Sequence, residues 1–565
     1  MALSVVRPAA SSDPPDAAGR ARQAPAVWVL VASGIALVVP LASVPVVAVA
    51  PWAVRWAMLP AIAGLGLPLL AASRERAARW ALAWLGWAAL ATALAPQPVV
   101  AFWGEYRVGT GLVFLAAVAG AWAIGARAGA AAARPVATAL LVGCTVNAAI
   151  AVVAQLTDLT AFGVAPLEGR AVGLYGNPVY LAELLTGGLW LAVHRVDRRA
   201  GVASAVLIAA AIELSGSRAA FALMIGVALV AVWKLPRRWV AAGAVAAGIA
   251  LGAAVAAVAP GTTTGTDRVS TVAVADSGLA PRAGTWAGGL SALHSRPLWG
   301  WGPGGTLAAA GPRRTLAVAR AEGPDIMFAD AHDLVVESLV TTGVVGFGLL
   351  VAWMLSAVVA ARRRPRGEGL LGFAALCAAV CLVEPAHPGV APLAALALGT
   401  AGAWAAPAAR RRVGAAVTAV AGLAVTAWLI AGLVALHEAD LAGSPAAAQS
   451  AARRLPAWGE PDALVGRLIG FESITRRDAR LLDDAIGWWQ SAAARDRANP
   501  ASWDDLGAAL EHAGRLPDAG AAYRHALADN PWSARALNAV VRTGAAGGFS
   551  PADVAAARAK LARLR

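Results

Sequence analysis

The sequence predicts an all-α membrane protein: a polytopic bundle of about thirteen transmembrane helices with a long outer loop and a C-terminal helical-repeat domain. Of its 565 residues, 59% are hydrophobic and only 14% are charged, whereas a soluble domain has about 25% charged residues. The charged residues also fall in short clusters between long apolar segments. Both observations are typical of a chain that crosses a bilayer many times.

The apolar segments mark the spans, because about 20 apolar residues cross the hydrocarbon core of a bilayer. They lie at residues 26–49, 52–72, 80–95, 110–126, 136–157, 178–194, 201–216, 219–233, 239–259, 333–360, 369–386, 389–407 and 413–436. We expect residues 1–25 to form a disordered cytoplasmic tail and residues 26–436 to form the membrane domain, with its outer loop at 260–331. Residues 437–565 have the composition of a separate helical domain.

Arginine marks every second connection between the predicted spans. The clusters are Arg74, Arg76 and Arg79; Arg127 and Arg134; Arg195, Arg198 and Arg199; Lys234, Arg237 and Arg238; Arg362, Arg363, Arg364 and Arg366; and Arg410, Arg411 and Arg412. Loops rich in arginine stay in the cytoplasm. We therefore expect a cytoplasmic N-terminus in the cytoplasmic (inner) membrane, with the 260–331 loop and the C-terminal domain on the outer side.

The net charge of +14 does not indicate a nucleic-acid partner, because the basic residues lie between apolar segments rather than along one soluble surface. Cysteine gives no sign of a metal site. Cys144, Cys377 and Cys381 all lie in apolar segments, where a free cysteine behaves as a small hydrophobic residue. We expect no metal.

The C-terminal segment contains a pattern typical of tetratricopeptide repeats, in which small residues allow two helices to pack closely. The pattern consists of Trp503, Leu506, Gly507, Ala519, Tyr523, Ala526 and Pro531. A degenerate repeat precedes it at 465–498, with Trp488 and Trp489 on its second helix. The alternative interpretation is an unrelated helical hairpin. Such a module would provide a surface for a protein partner.

Three residues on the predicted outer side are candidates for chemistry. Arg218 follows a Ser-Gly-Ser segment at the start of an apolar helix, and Arg282 and His332 lie in or next to the outer loop. A guanidinium group at this boundary can bind a phosphate with two hydrogen bonds. The alternatives are an arginine that reaches a lipid headgroup and a histidine that merely caps a helix.

Several short motifs occur in a fixed order around these residues. They are Phe102-Trp-Gly104-x-Tyr106-Arg107, Gly173-Leu-Tyr-Gly176-Asn177-Pro178, Ser215-x-Ser217-Arg218, Arg282 with Trp286, Pro297-Leu-x-Gly300-x-Gly302, and Ala331-His332-Asp333 followed by Gly343-Val-Val-Gly346. In order, spacing and outward placement these motifs resemble the O-antigen ligase and polymerase superfamily. The resemblance covers roughly residues 80–400.

The resemblance implies a glycosyltransferase that moves a glycan from a polyprenyl-diphosphate carrier to an acceptor hydroxyl at the outer face of the membrane, with no metal or nucleotide cofactor. It assigns Arg218 and Arg282 to the donor diphosphate and His332 to the acceptor hydroxyl. We expect Arg170, Asn177, Arg107 and Asp333 to be further substrate-binding residues. Asp333 replaces the usual asparagine of the family, and either raises the pKa of His332 or is itself the base.

The sequence does not determine whether the acceptor is a glycan, a lipid or a protein. The alternative functions are a lipid-linked oligosaccharide transporter and an envelope scaffold. A transporter is expected to place charges along a cavity inside its helices. Because few ionisable residues lie within the predicted spans and the polar residues concentrate in one outer loop, the sequence favours the enzyme.

Overall fold

The computed structural model describes residues 26–43, 53–106, 108–160, 164–270, 279–363, 369–402, 412–455 and 458–564. Within these ranges the chain is helical, with two isolated β-bridges near residue 165 and no β-strand. The predicted all-α class is confirmed. The predicted N-terminal tail and the candidate residue Arg107 lie outside the described residues.

Every predicted span contains a helix. The helices of the membrane domain are α1 (Ala26–Leu41), α2 (Ala53–Ala72), α3 (Arg76–Ala93), α4 (Pro98–Trp103), α5 (Leu112–Ala128), α6 (Ala133–Leu156), α7 (Pro178–Val193), α8 (Arg199–Ser215), α9 (Arg218–Lys234), α10 (Arg238–Val258), α15 (Leu334–Arg362), α16 (Leu370–Val380), α17 (Ala391–Gly402) and α18 (Arg412–Ala442). Of these, the short α4 is an addition to the prediction.

Five segments of the described chain are long and apolar enough to cross a membrane. They are residues 53–72, 112–156, 238–258, 334–362 and 414–442. The segment 112–156 contains both α5 and α6, joined by a short 3-10 turn. By contrast, α16 and α17 have 11 and 12 residues, and a helix of that length covers only about 16–18 Å of a hydrocarbon core about 30 Å thick. The number of crossings stays a prediction.

Arginine-rich turns gather at one end of the bundle. Arg195 donates a hydrogen bond from Nη1 to the hydroxyl of Thr138 over 3.1 Å, and Arg237 donates to the carbonyl of Asp197 over 3.4 Å. These contacts join three connections that are distant in sequence. The outer loop lies at the other end, where Thr262 donates a hydrogen bond to Gln155 near the end of α6 and Arg218 at the start of α9 donates to the carbonyl of Arg268. The side of the membrane on which each end lies stays a prediction.

The outer loop is folded rather than extended. Its described residues, 260–270 and 279–331, contain four short α-helices: α11 (Gly265–Ser270), α12 (Leu279–Leu293), α13 (Thr306–Ala310) and α14 (Leu316–Glu322). The motif at residues 297–302 packs against a kink in α15, where Gly343 has φ 70° and ψ −179°. The kink leaves backbone carbonyl groups of α15 without their usual helical partners. The backbone N–H of Trp301 donates to the carbonyl of Val340 and that of Gly302 donates to the carbonyl of Thr341, each over 2.9 Å.

An arginine inside the bundle ties α2 to the connection before α7. Arg55 is 1% exposed and donates hydrogen bonds to the carbonyl oxygens of Val39, Pro40 and Leu174. Its guanidinium carbon lies 3.8 Å from the ring centre of Tyr175. Because the carbonyls and the aromatic face share the charge, this buried arginine is structural, and it explains the Gly-Leu-Tyr-Gly motif as a packing element.

The C-terminal domain consists of helical hairpins. Its helices are α19 (Pro445–Arg454), α20 (Glu460–Arg476), α21 (Ala479–Arg495), α22 (Pro500–His512), α23 (Leu516–Asp529), α24 (Ala534–Thr543) and α25 (Pro551–Leu564). Paired helices approach closely at two glycines, because a Cβ atom at Gly507 would lie 2.6 Å from the Tyr523 ring and one at Gly466 would lie 2.9 Å from the Trp489 ring. The tetratricopeptide identity of these hairpins stays a prediction.

The C-terminal domain packs directly on the outer loop. The Trp532 indole N–H donates to the carbonyl of Arg314 over 3.0 Å, and the Asn530 amide donates to the carbonyl of Pro324 over 2.8 Å. Arg314 itself donates from Nη2 to the carbonyl of Gly323 over 2.6 Å. These bonds hold the loop segment that leads into His332.

The kink in α15 can be tested with Gly343→Ala. The backbone of Gly343 lies in a region that residues with a side chain avoid at a cost of about 1–3 kcal/mol. A Cβ atom there would also collide with the carbonyl group of Leu298. We expect a clear fall in the thermal unfolding midpoint of the purified protein in detergent.

The matched control is Gly348→Ala in the same helix, where a Cβ atom meets nothing within 4 Å. Alanine there should leave the midpoint unchanged or raise it, because alanine favours a helix over glycine by up to about 1 kcal/mol. Equal midpoints for the two variants would contradict the proposed role of the kink.

Candidate functional site

The centre of the site is a histidine held by an aspartate two residues before it. The His332 backbone has φ 50°, and this turn brings the Asp330 carboxylate under both its backbone N–H and its ring. Asp330 Oδ1 lies 2.7 Å from the backbone nitrogen and 2.6 Å from Nδ1 of the ring. Because Asp330 occupies Nδ1, the ring nitrogen that a substrate can reach is Nε2. The side chain is 25% exposed.

The charge on His332 reflects opposing effects. Burial is the largest single effect and lowers its pKa, but the charge and hydrogen bond of Asp330, together with the charge of Glu384, outweigh it. The net result is a pKa raised to about 9. The resting site therefore holds an imidazolium paired with a carboxylate at neutral pH.

The aspartate after the histidine has a different role from the one before it. Asp333 Oδ1 accepts a hydrogen bond from the backbone N–H of Val336 over 2.8 Å, so Asp333 caps the start of α15. The carboxylate that raises the pKa of His332 is that of Asp330. We expected Asp333 either to raise the pKa of His332 or to act as the base. The first of these roles belongs to Asp330.

The backbone before His332 is fixed on both sides of Ala331. The Trp286 indole N–H donates to the Ala331 carbonyl over 2.6 Å, and the Ala331 N–H donates to Glu337 Oε2 over 2.9 Å. Thr306 donates to the same Glu337 oxygen over 2.8 Å. Trp286 and Glu337 therefore position the histidine without any contact to its ring.

Arg282 links α12 to the segment after α16. Its Nη2 lies 3.0 Å from Glu384 Oε2, and its Nη1 donates to the carbonyl of Val383 over 2.7 Å. Glu384 is 6% exposed. The charge of Glu384 also acts on His332 and Arg170, so these groups lie around one carboxylate.

Arg218 joins this cluster through Arg268. Arg218 Nε donates to the backbone carbonyl of Arg268 over 2.8 Å, and Arg170 Nε donates to the carbonyl of Ser215 over 2.7 Å. Gly216, with φ 60°, lies between Arg170 and Arg268. Burial and then the charge of Arg268 lower the pKa of Arg170 to about 10, which leaves it positively charged at neutral pH. We call Arg170, Arg218, Arg268 and Arg282 the arginine cluster.

The structure thus brings together four of the residues predicted from sequence: His332, Arg282, Arg218 and Arg170. Asn177 has a local role, since its side-chain oxygen accepts from the N–H of Val179 over 2.8 Å and caps α7. Sequence reasoning did not assign Asp330, Glu337 or Glu384 to the site. Glu384 could have been assigned from the sequence, because an ionisable residue in an apolar segment marks a functional or paired group.

A groove begins beside His332 and runs between the helices, with a cavity volume of about 170 Å³. At one end it is lined by Asp330, His332, Glu183 and Glu337. Along the rest of its length the lining is apolar and includes Trp84, Phe114, Leu350, Trp353, Met354 and Leu398. Among the described lining residues there is no arginine or lysine. Within the described chain no group of three or more His, Cys, Asp or Glu residues is arranged to hold a metal ion.

Comparison with protein families gives a match in this region. The model of the O-antigen ligase family matches residues 203–351, the segment that runs from α8 through the outer loop into α15. These residues form an O-antigen ligase domain. The chain is therefore a helical membrane protein that contains an O-antigen ligase domain. No curated protein sequence matches the chain.

The ligase domain contains most of the site but not all of it. Arg218, Arg268, Arg282, Asp330 and His332 lie inside the matched residues. Arg170 and Glu183 come before the match, and Glu384 comes after it. The site is therefore completed by parts of the bundle on either side of the ligase domain.

Proposed function

We propose that this protein transfers a glycan from a polyprenyl-diphosphate-linked donor to an acceptor hydroxyl. The observation that carries the proposal is the placement of a paired histidine beside an arginine cluster. Four guanidinium groups suit a diphosphate, whose negative charge grows as it leaves. A histidine suits the removal of a proton from a hydroxyl group. The match of residues 203–351 to the O-antigen ligase family supports the same reaction class.

In the proposed reaction the acceptor oxygen attacks the anomeric carbon of the donor sugar. The bond between that carbon and the phosphate oxygen breaks, and the diphosphate leaves with the bonding electrons. Arg218 and Arg282 stabilise the leaving group, with Arg170 and Arg268 beside them. The hydroxyl proton passes to Nε2 of His332, while Asp330 holds Nδ1 and stabilises the imidazolium that forms. The residues of the chain supply every group in this scheme, and no metal enters it.

The assignment predicts that His332→Ala, Arg218→Ala and Arg282→Ala each lower transfer from a polyprenyl-diphosphate donor by at least about 100-fold. The measurement is transfer in vesicles, with membrane insertion checked by immunoblot of the membrane fraction. Arg313→Ala is the matched control, because this loop arginine donates to the carbonyl of Ala309 in its own turn. Full transfer by the His332 variant would exclude its role and leave the transporter alternative.

The raised pKa of His332 predicts a pH dependence. Only the neutral ring accepts a proton, so the transfer rate should rise as pH increases towards the pKa of about 9. In Asp330→Asn the charge that raises the pKa is removed, and the rise should occur at lower pH. The comparison is the pH–rate profile of the two proteins at saturating donor. A wild-type rate that falls over this range would show that the imidazolium is the active form.

We further propose that the site faces the outer side of the cytoplasmic membrane, which agrees with the arginine-rich turns at the opposite end. Alkaline phosphatase fused after Leu564 should be active, since this enzyme folds only outside the cytoplasm. The same fusion after Lys234, in an arginine-rich connection, should be inactive. Activity from the Lys234 fusion would reverse the orientation. The donor and the membrane lipids are the expected small-molecule partners, and a protein partner of the C-terminal helices stays a prediction.

A further inference from the structure

A separate cavity lies at the arginine-rich end of the bundle, at the opposite end of α15 from His332. It is enclosed by α3, α5, α15 and α17 and has a volume of about 460 Å³. Its floor is formed where α5 and α17 pack closely, since a Cβ atom at Gly399 would collide with the carbonyl oxygen of Trp122. Gly399, Gly402 and Ala126 line the cavity. The space exists because these small residues leave room between the packed helices.

Three of the described lining residues are charged. Glu75 and Arg76 lie at the start of α3, and Arg363 lies at the end of α15. Within the described chain none of the three side chains forms an ion pair or a hydrogen bond. Guanidinium groups without a carboxylate partner can bind a phosphate with two hydrogen bonds each. The start of α3 adds the partial positive charge of a helix N-terminus.

The cavity also has an apolar side that opens towards the bilayer. Leu355 and Val359 line it from α15 and are 61% and 48% exposed, on a helix that is long and apolar enough to cross a membrane. Leu355 lies eight residues before Arg363, which is about 12 Å along the helix. Half of the hydrocarbon core is roughly 15 Å thick. The cavity therefore has the depth of one leaflet, with its charged residues at the level of the lipid heads.

The signs of the three charges favour one kind of lipid head. A head that carries only negative charge would pair with the arginines but would bring a second negative charge towards Glu75. A head in which a phosphate is joined to an ammonium group offers a partner to all three side chains. Zwitterionic phospholipids have such a head, and their acyl chains match the apolar side of the cavity.

We infer that this cavity binds a zwitterionic phospholipid with an ammonium group, such as phosphatidylethanolamine. Its phosphate lies between Arg76 and Arg363, its ammonium group pairs with Glu75, and an acyl chain follows Leu355 and Val359. The bound lipid joins the start of α3 to the end of α15. This inference does not depend on the proposed glycan transfer, because the cavity and His332 lie at opposite ends of α15.

The test is native mass spectrometry of the full protein, purified in detergent and titrated with palmitoyl-oleoyl phosphatidylethanolamine or the matching phosphatidylglycerol. We expect a tightly bound phosphatidylethanolamine and weaker binding of phosphatidylglycerol. Arg76→Ala combined with Arg363→Ala should weaken the phosphatidylethanolamine affinity at least about tenfold, because charge-assisted hydrogen bonds are lost. The matched control is Arg199→Ala combined with Arg238→Ala, which removes the same charge at the same end of the bundle but outside the cavity. It should leave the affinity unchanged.

Two further variants separate the charge from the space. Glu75→Gln removes the partner of the ammonium group, so it should lower the affinity for phosphatidylethanolamine and raise that for phosphatidylglycerol. Ala360→Phe places a ring in the cavity without changing its charge and should abolish the tight binding. Val417→Phe, on the exposed surface of α18, should leave the binding unchanged.

Three results would overturn the inference. Unchanged phosphatidylethanolamine affinity in the double variant of Arg76 and Arg363 would reject the site. Tighter binding of phosphatidylglycerol than of phosphatidylethanolamine by the wild-type protein would reject the zwitterionic head and assign an anionic lipid. Glycerophosphoethanolamine has the same head without acyl chains. Full displacement of the lipid by an equal concentration of this compound would show that the cavity binds a soluble phosphate ester instead of a lipid.

Discussion

The arrangement of the site depends on one buried carboxylate. Positive charges beside a low-dielectric interior repel one another and are costly to bury. Glu384 offsets this cost, because it pairs with Arg282 at 3.0 Å and its charge also acts on Arg170, Arg268 and His332. The segment that carries Glu384 follows a helix of only 11 residues.

The outer loop is held in place by backbone groups as much as by side chains. The kink at Gly343 exposes carbonyl groups of α15, and the N–H groups of Trp301 and Gly302 satisfy them. The C-terminal domain holds the next part of the loop through Asn530 and Trp532. His332 thus lies between two anchored segments, which explains how a loop residue can keep a fixed ring orientation. It also gives the C-terminal domain a structural role besides any partner that it binds.

The placement of His332 beside the arginine cluster gives the proposed reaction its order in space. The arginine cluster suits an anionic leaving group, and His332 lies next to it. Its pairing with Asp330 keeps Nδ1 occupied, so that Nε2 is the nitrogen directed to the substrates.

The sequence by itself determined the helices of the membrane domain, the position of the outer loop and the helical hairpins of the C-terminal domain. Each follows from local properties: the length of an apolar segment, the absence of charge, and the spacing of small and aromatic residues. It also indicated Arg218, Arg282 and His332, because charged residues at a membrane boundary are few.

Only the tertiary structure decided which carboxylates act with them. Asp333 is the immediate neighbour of His332 and Asp330 lies two residues before it, but Asp333 caps α15 while Asp330 turns towards the ring. Arg282 and Glu384 are 102 positions apart in the sequence. No local sequence pattern could predict their pairing, because the packing of the helices brings them together. The groove is likewise formed between helices that are distant in sequence, so only the tertiary structure shows which residues line it.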